Sequence, residues 1–390
     1  MQFQYHIPTK LLFGPGSLGK LSKQTLPGKR ALIVISNGKS TRENGYLSRV
    51  EESLQIAGAE SLVFDEVMPN PSLENVAFGA ALARKEGCDF VVGLGGGSSI
   101  DCAKAIAVMA VNEGSFWDYL YAGTGGRKKM AHDPLPLVAI PTTAGTGTEL
   151  DPWMVVTNEA TQEKIGGGNI RCYPVLAVVD PELMTSLPPL LTAFQGFDAL
   201  FHGVECYLAK IATPMSDLYA KAAVEAVAGS LARACSHGRD LESRERVAFG
   251  CSMAGIAMSL SGNGSQHAME HALSAFHHNL PHGAGLIMLS RAYFTHLAGH
   301  APQVEERLVE LARLIGQANA REPMDFVQAL TSLQEACGVA SLSMSQYGVT
   351  AEELPRMAEN ARETMGMLFQ NDRFNLSQGD CVSIYQAAFR

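Results

Sequence analysis

The sequence predicts two domains: an α/β domain over residues 1–187 and an all-helical domain over residues 188–390. Three observations support this division. Apolar strand patterns alternate with amphipathic helix patterns in the first half of the chain, and the strand patterns end near Pro188. The third is length, because 390 residues exceed one ordinary domain and suffice for two hydrophobic cores.

The elements of the first half follow one another in a regular order. Strands are predicted at 30–36, 61–67, 89–95 and 136–143, and helices at 44–58, 73–87 and 98–112. This β-α-β alternation implies a mostly parallel sheet with helices on its faces. In the second half, long segments rich in Ala, Leu and Met, such as 216–235, predict helices.

Composition narrows the class of protein. Hydrophobic residues make up 46% of the chain and charged residues 18%, which is typical of a globular protein. The net charge of -9 repels phosphate backbones and anionic lipids, so neither nucleic acid nor a membrane is expected as a partner. Eight scattered cysteines without a C-x-x-C pair, and an N-terminus without an apolar signal region, predict a cytoplasmic protein.

Two glycine- and threonine-containing loops follow predicted strands. The first loop lies in GLGGGSSIDCAKAIA (93–107), where the glycines allow a ligand to approach the backbone closely and a helix N-terminus follows them. This arrangement suits a pyrophosphate, although the G-x-G-x-x-G motif is absent. Equally consistent is a tight turn with Ser98 as the N-cap and Asp101 closing a capping box. PTTAGTGTEL (141–150) is either a second ligand loop or an ordinary polar turn. Together the loops favour ligand binding, because open sheets bind ligands at the carboxyl ends of their strands.

Histidines are concentrated in the second half. Five of the eleven lie within sixteen residues: His267, His271, His277, His278 and His282. Asp198 and His202 are four residues apart, as are His267 and His271, so each pair shares one helix face. One such pair alone is typical of a helix surface. Two pairs together with P-H-G at 281–283 favour a site of three imidazoles and one carboxylate, which suits Fe²⁺ or Zn²⁺ with one position open.

Four segments in order resemble the iron-containing (group III) alcohol dehydrogenase family. They are GGGSSIDCAK (95–104), PTTAGTGTE (141–149), DPELMTSLPPLLTAFQGFDALFHGVE (180–205) and HAMEHALSAFHHNLPHG (267–283). The resemblance covers nearly the whole chain. It implies an N-terminal dinucleotide-binding α/β domain and an all-helical metal-binding domain, the architecture of dehydroquinate synthase.

The resemblance also implies roles for individual residues. The expected ligands of one divalent metal, Fe²⁺ ahead of Zn²⁺, are Asp198, His202, His267 and His282. His271 is the expected catalytic residue, a proton relay near the nicotinamide. The expected pyrophosphate loop consists of Gly95, Gly96, Gly97 and Ser98. Expected near the nicotinamide and its ribose are Asp101, Thr142, Thr143, Thr146 and Lys164.

The expected cofactor is NAD or NADP. NAD-preferring relatives often carry an acidic residue near Ser36, and the sequence has none there. The segment Asn37, Gly38, Lys39 and Ser40 instead resembles NADP-using butanol dehydrogenase-like members. Lys39 could pair with a 2′-phosphate, which predicts tolerance of NADP(H); the alternative is a solvated turn.

Trp153 stands where relatives often have a smaller polar residue near the substrate. Its large ring predicts a narrow substrate pocket and compact substrates, and the alternative is an aromatic residue that serves packing.

The expected reaction is hydride transfer between the cofactor and a small alcohol or aldehyde. Two alternatives are a dehydroquinate synthase-like lyase, which also uses NAD and a divalent metal, and an inactive scaffold. Relatives are often dimers or larger, so a homo-oligomer is expected.

Overall fold

The computed structural model describes residues 2–390, which form two compact units. The α/β unit spans His6–Thr161 and Ile165–Ser186. The helical unit spans Leu187–Arg390 and also includes Gln162–Lys164 and the described residues before His6. The predicted fold class, a parallel α/β domain followed by an all-helical domain, is confirmed.

A parallel sheet of six strands forms the centre of the α/β unit. The strands are β1 (Lys10–Phe13), β2 (Arg30–Ser36), β3 (Glu60–Val67), β4 (Phe90–Gly95), β5 (Leu137–Pro141) and β8 (Leu176–Val179), with a separate two-stranded sheet of β6 (Trp153–Asn158) and β7 (Glu163–Gly168). The order across the sheet is β1-β8-β5-β4-β2-β3, and every pairing is parallel. β4 and β5 are buried along their whole length, which explains their unbroken apolar sequences.

Four α-helices connect these strands: α1 (Ser40–Glu43), α2 (Tyr46–Ile56), α3 (Leu73–Glu86) and α4 (Gly97–Met109). α3 shows how local sequence sets their limits. The Ser72 side chain accepts the N–H of Asn75 in a capping box, and Gly87 ends the helix in the left-handed conformation.

The sequence analysis missed four strands. β1 and β8 have only four residues each, which is too short for a periodic pattern. The β6–β7 pair lies between the loop at 141–150 and the predicted domain boundary, where no strand was expected. The four predicted strands and three predicted helices of this unit match β2, β3, β4, β5, α2, α3 and α4 to within a few residues, whereas α1 was not predicted.

A buried ammonium ties α4 to the end of the second loop. The Nζ of Lys104 donates to Thr148 Oγ1 at 2.7 Å, to Asp151 Oδ1 at 2.9 Å and to the carbonyls of Asp151 and Trp153 at 2.8 and 2.6 Å. The Thr148 hydroxyl in turn donates to Asp101 Oδ1 at 2.7 Å. Since both ionic side chains of the Lys104–Asp151 pair are at most 2% exposed, every proton of the ammonium requires such an acceptor.

Among the residues that the structure describes, eleven α-helices build the helical unit. They are α5 (Pro189–Leu208), α6 (Pro214–Ala228), α7 (Leu231–Ser236), α8 (Leu241–Ser261), α9 (Ser265–Phe276), α10 (His282–His300), α11 (Glu305–Leu314), α12 (Met324–Ala336), α13 (Leu354–Thr364), α14 (Gly366–Asn371) and α15 (Gln378–Ala388). α10 packs against both α5 and α9. Between residues 2 and 390, none of the helices combines the length and hydropathy that a membrane span requires.

Replacing Lys104 tests whether this tie stabilises the α/β unit. Lys104→Met should lower the free energy of unfolding by about 3–5 kcal/mol, because Asp151 is left as a buried carboxylate without its cation. The midpoint of urea unfolding followed by circular dichroism measures the loss. Lys85→Met removes an exposed lysine and serves as the control. Equal midpoints for the two variants would contradict a stabilising role of Lys104.

Candidate functional site

Three helices of the helical unit bring the histidines together. α5 presents Asp198 and His202 one turn apart, α9 presents His267, and α10 begins at His282. A Cβ atom at Gly283 would lie 2.1 Å from the carbonyl oxygen of Phe194 on α5. Only glycine therefore allows α10 to start against α5 and to carry His282 towards Asp198.

The three imidazoles converge on one carboxylate oxygen. Oδ1 of Asp198 lies 3.5 Å from His202 Nδ1, 3.5 Å from His267 Nε2 and 3.4 Å from His282 Nε2. The side chains of Asp198, His202 and His267 are 2–6% exposed, whereas His282 is 22% exposed. Three of the four side chains are thus buried, and the cluster is most accessible at His282.

These spacings fit a shared metal ion. Four ligands at about 2.1 Å from a tetrahedral metal stand about 3.4 Å apart, which matches the N···O distances here. Asp198 Oδ1 and His267 Nε2 are buried and have no hydrogen-bond partner among residues 2–390. Buried polar atoms without partners are costly, and a bound cation would satisfy both. The donor atoms of Asp198, His267 and His282 all lie within 4.8 Å of one another.

The electrostatics of the cluster also favour a cation. Burial alone would raise the pKa of Asp198, but His202 and His282 hold it well below its usual range. Burial would lower the pKa of His267, but Glu205 and Asp198 raise it to about 10. The pKa of His202 falls to about 4, chiefly through burial and despite Asp198. The group therefore holds an ionised carboxylate that attracts positive charge, either a proton or a metal.

Two buried carboxylates that the sequence analysis did not assign lie behind the histidines. Glu205, on α5, accepts the backbone N–H groups of Gly264 and His267 at the uncapped start of α9. Its Oε1 also lies 2.9 Å from His267 Nδ1, at an angle outside hydrogen-bond geometry. Glu270, on α9, bonds to His282 Nδ1. Glu205 follows Asp198 by seven residues and Glu270 follows His267 by three. These spacings place each carboxylate on the helix face of a predicted ligand, and this signal was available in the sequence.

Lys164 reaches this second carboxylate. Its Nζ lies 3.5 Å from Glu270 Oε2 and 3.4 Å from His282 Nδ1. Burial would raise the pKa of Glu270, but His282 and Lys164 lower it to about 2. The expected place of Lys164 beside the nicotinamide stays a prediction.

His271 lies one turn beyond His267 on α9, and its ring centroid is 5.4 Å from that of His282. Burial, reinforced by the Lys164 ammonium, lowers its pKa well below the usual value. His271 is therefore a neutral imidazole at neutral pH. Within the described part of the chain, its Nδ1 has no hydrogen-bond partner, which leaves that atom able to accept a proton.

The two loops of the α/β unit lie against each other. A Cβ atom at Gly97 would lie 2.4 Å from Thr146 Cγ2, and one at Gly96 would lie 3.3 Å from Thr143 Oγ1. The N–H of Thr142 donates to the carbonyl of Gly95 at 2.8 Å. The expected pyrophosphate residues and three of the threonines are thus neighbours.

The alternative interpretation of this segment, a turn capped by Ser98, is wrong. α4 begins at Gly97, its N-cap is Gly96, and no side chain caps it. Asp101 instead accepts from the Thr148 hydroxyl and from the N–H of Val155 at 2.9 Å. The first N–H groups of α4 therefore remain available to an anion.

A cavity of about 290 Å³ lies at the end of β2. It is lined by Ser36, Asn37, Gly38, Lys39, Arg42, Glu43 and Asp65. Ser40 starts α1 and does not line it. The sequence analysis missed Asp65, which lies on the neighbouring strand β3 and pairs with Arg42 at 2.5 Å. Both signs of charge therefore face this cavity.

Trp153 begins β6, and its backbone carbonyl accepts from Lys104. The residue is 38% exposed, so its ring is only partly packed against the rest of the protein.

Comparison with known proteins identifies the family. The model of iron-containing alcohol dehydrogenases matches residues 8–181, and that of the C-terminal domain of the Fe-containing alcohol dehydrogenase family matches residues 192–389. The chain belongs to the iron-containing alcohol dehydrogenase family. It is thus an oxidoreductase of a family that uses NAD(H) and a divalent metal.

Individual relatives resemble the chain over two thirds or more of its length. It is 33% identical to the 1,3-propanediol dehydrogenase of Klebsiella pneumoniae, over 99% of both chains. It is 40% identical to the choline dehydrogenase of Bacillus subtilis, over 69% of this chain and 66% of that protein. The crystal structure of an archaeal halo-thermophilic alcohol dehydrogenase from a Red Sea brine pool superposes with a TM-score of 0.93, at 31% identity, covering 100% of this chain and 99% of the other.

Metal binding by this dehydrogenase should stabilise the helical unit. Adding Zn²⁺ at about 100 times its dissociation constant to chelator-treated protein should stabilise it by about 2.7 kcal/mol, and thermal unfolding should shift upwards. Asp198→Asn should abolish the shift, because the shared oxygen loses its charge. Asp133→Asn removes an exposed carboxylate and serves as the control. The same shift in both variants would exclude Asp198 as a ligand.

Proposed function

We propose that this protein is a metal-dependent alcohol dehydrogenase and aldehyde reductase that acts on small alcohols and aldehydes. The observation that carries the proposal is the convergence of three imidazole nitrogens on Asp198 Oδ1 at 3.4–3.5 Å. Family membership supports it, because its members are oxidoreductases.

Asp198, His202, His267 and His282 are the proposed ligands of one divalent cation. A cation held there would supply Lewis acidity towards an alcohol or carbonyl oxygen. The donor set, three borderline nitrogens and one hard oxygen, suits Fe²⁺ and also accepts Zn²⁺. The greater exposure of His282 marks the flank by which a substrate oxygen can approach.

In the proposed reaction, a bound nicotinamide cofactor would accept the hydride of the carbinol carbon, and the hydroxyl proton leaves to the protein. His271 is the proposed relay for that proton, which it accepts at Nδ1. Its neutral state at physiological pH suits this role, because only a neutral imidazole can accept a proton. Reduction of an aldehyde runs the same steps in reverse.

The proposed pyrophosphate site is the loop Gly95–Ser98 with the start of α4. Two features support it: the helix N-terminus has no side-chain cap, and Gly96, Gly97 and Ser98 are partly exposed. Thr142, Thr143 and Thr146 supply hydroxyl groups beside this loop, and Asp101 holds the second loop in place through Thr148.

We further infer that the enzyme accepts NADPH as well as NADH. Lys39 and Arg42 line the cavity at the end of β2 and offer two cations to a 2′-phosphate. Asp65 and Glu43 oppose them, and Asp65 is placed to bind ribose hydroxyls instead. Since the four charges balance, the cavity favours neither cofactor strongly.

Two alternatives remain from the sequence, a dehydroquinate synthase-like lyase and an inactive scaffold. Net hydride transfer to an added aldehyde separates the proposal from the lyase. Turnover after metal reconstitution separates it from the scaffold. Self-association and a cytoplasmic location stay predictions.

The proposed activity is tested on protein reconstituted anaerobically with Fe²⁺ or Zn²⁺. Short alcohols, 1,3-propanediol and choline, with the matching aldehydes, should give cofactor turnover at 340 nm. His282→Ala should lose it, because the donor set is broken. Absence of turnover with every substrate and metal would overturn the proposal.

The size of the Trp153 ring predicts the substrate range. Because removing the ring should widen the pocket, Trp153→Ala should raise kcat/KM for longer alcohols relative to shorter ones by roughly fourfold per added methylene group. Unchanged selectivity would assign the ring to packing.

The cofactor proposal predicts opposite effects for two variants at the same cavity. Lys39→Ala should lower kcat/KM for NADPH by roughly tenfold and leave that for NADH unchanged, because only NADPH carries the 2′-phosphate. Asp65→Asn should raise the value for NADPH. Steady-state kinetics with both cofactors measure the ratio. The proposal would be wrong if the wild-type enzyme strongly prefers NADH and Lys39→Ala leaves the ratio of kcat/KM for NADPH to that for NADH unchanged.

A further inference from the structure

Glu270 is a fully buried carboxylate outside the proposed ligand set. An ionised carboxylate in this position is costly unless its oxygens are satisfied. Each oxygen has a partner: the Ser274 hydroxyl donates to Oε1, and Oε2 bonds to His282 Nδ1 and lies 3.5 Å from the Lys164 ammonium. The chain thus maintains a negative charge directly behind one metal-binding histidine.

The contact to His282 determines which ring nitrogen faces the carboxylate cluster. A carboxylate accepts hydrogen bonds and cannot donate them, so Nδ1 of His282 carries the proton. The lone pair is then on Nε2, which is the nitrogen that lies 3.4 Å from Asp198 Oδ1. The same bond fixes the plane of the ring at the partly exposed start of α10.

We propose that Glu270, held in place by Lys164, is the positioning residue of His282: it selects the imidazole tautomer and directs Nε2 into the metal site. The inference rests on the proposed function only in that the cluster binds a divalent cation. Carboxylates behind ligating histidines generally increase the basicity of the ligand and the affinity for the metal.

The sequence around His282 makes room for this contact. A Cβ atom at Gly285 would lie 2.7 Å from Glu270 Cγ and 2.8 Å from its Oε1. Gly285 is near the start of the long helix α10, where alanine would otherwise be the better helix former. The glycine therefore serves the approach of the carboxylate, independently of the hydrogen bond itself.

The charges give a second argument. Among the charged side chains that contact these histidines or one another, Asp198, Glu205 and Glu270 are negative and Lys164 is positive. With neutral imidazoles the group carries a net charge of about -2, which one divalent cation balances. Loss of Glu270 therefore removes attraction for the metal as well as orientation of its ligand.

Metal affinity is the readout that tests the inference. Zn²⁺ dissociation constants are measured by chelator competition on Glu270→Ala, Glu270→Gln and Gly285→Ala. We expect roughly 10–100-fold weaker binding for Glu270→Ala. Glu270→Gln, which can still accept from Nδ1, should recover part of the loss. Gly285→Ala keeps the charge but displaces the carboxylate, and it should also weaken binding.

The Co²⁺-substituted proteins provide a spectroscopic signature, because the d–d absorption reports the geometry of the ligands. Glu270→Ala should change this spectrum. Gln334→Leu is the matched control, since Gln334 is a buried polar residue that bonds to Ser290 in the same unit and makes no contact with the cluster. It should lose stability and keep wild-type metal affinity.

The outcomes separate this inference from the proposed function. Wild-type affinity and spectrum in both Glu270→Ala and Gly285→Ala would overturn the positioning role alone. Wild-type protein that binds Zn²⁺ but turns over no alcohol or aldehyde would overturn the proposed reaction alone. Wild-type protein without affinity for any divalent cation would overturn both.

Discussion

The helical unit depends on one electrostatic constraint, the meeting of three imidazoles, two of them buried, at Oδ1 of Asp198. Such a group is unstable as a set of mutual hydrogen bonds, because the donors surround one oxygen at distances beyond hydrogen-bond optimum. It would become favourable with a cation in the space between them, as proposed. Glu205 and Glu270 place two further negative charges next to these histidines, and they also favour a cation at this position.

Helix geometry accounts for how so many polar groups reach one point. On α5 the spacing of Asp198, His202 and Glu205 places all three on one face, and on α9 the spacing of His267 and Glu270 does the same. α10 supplies His282 at its first turn, where close packing on α5 is possible only without a side chain at Gly283. The site is therefore built from rigid elements and not from loops, which suits ligands that must hold fixed distances.

Local periodicity sufficed to predict the long strands, the helical second half and the grouping of the histidines. It could not predict β1 or β8, because a four-residue strand carries no period and is fixed only by its neighbours in the sheet. Nor could it predict the partners of the ligands. Glu205 and Glu270 resemble ordinary helix carboxylates in the sequence, and their burial follows from how α5, α9 and α10 pack together. Asp65 was missed for the same reason, since it comes from an adjacent strand.

The Lys104 tie has a consequence for how a dinucleotide is received. Four acceptors fix the ammonium, and Thr148 and Asp101 continue the network from the helix to the second loop. These bonds therefore hold the second loop against α4 through contacts within the protein alone. A loop fixed in this way would give up little conformational entropy on association, so at the proposed pyrophosphate site the free energy of contacts with a diphosphate would be retained as affinity.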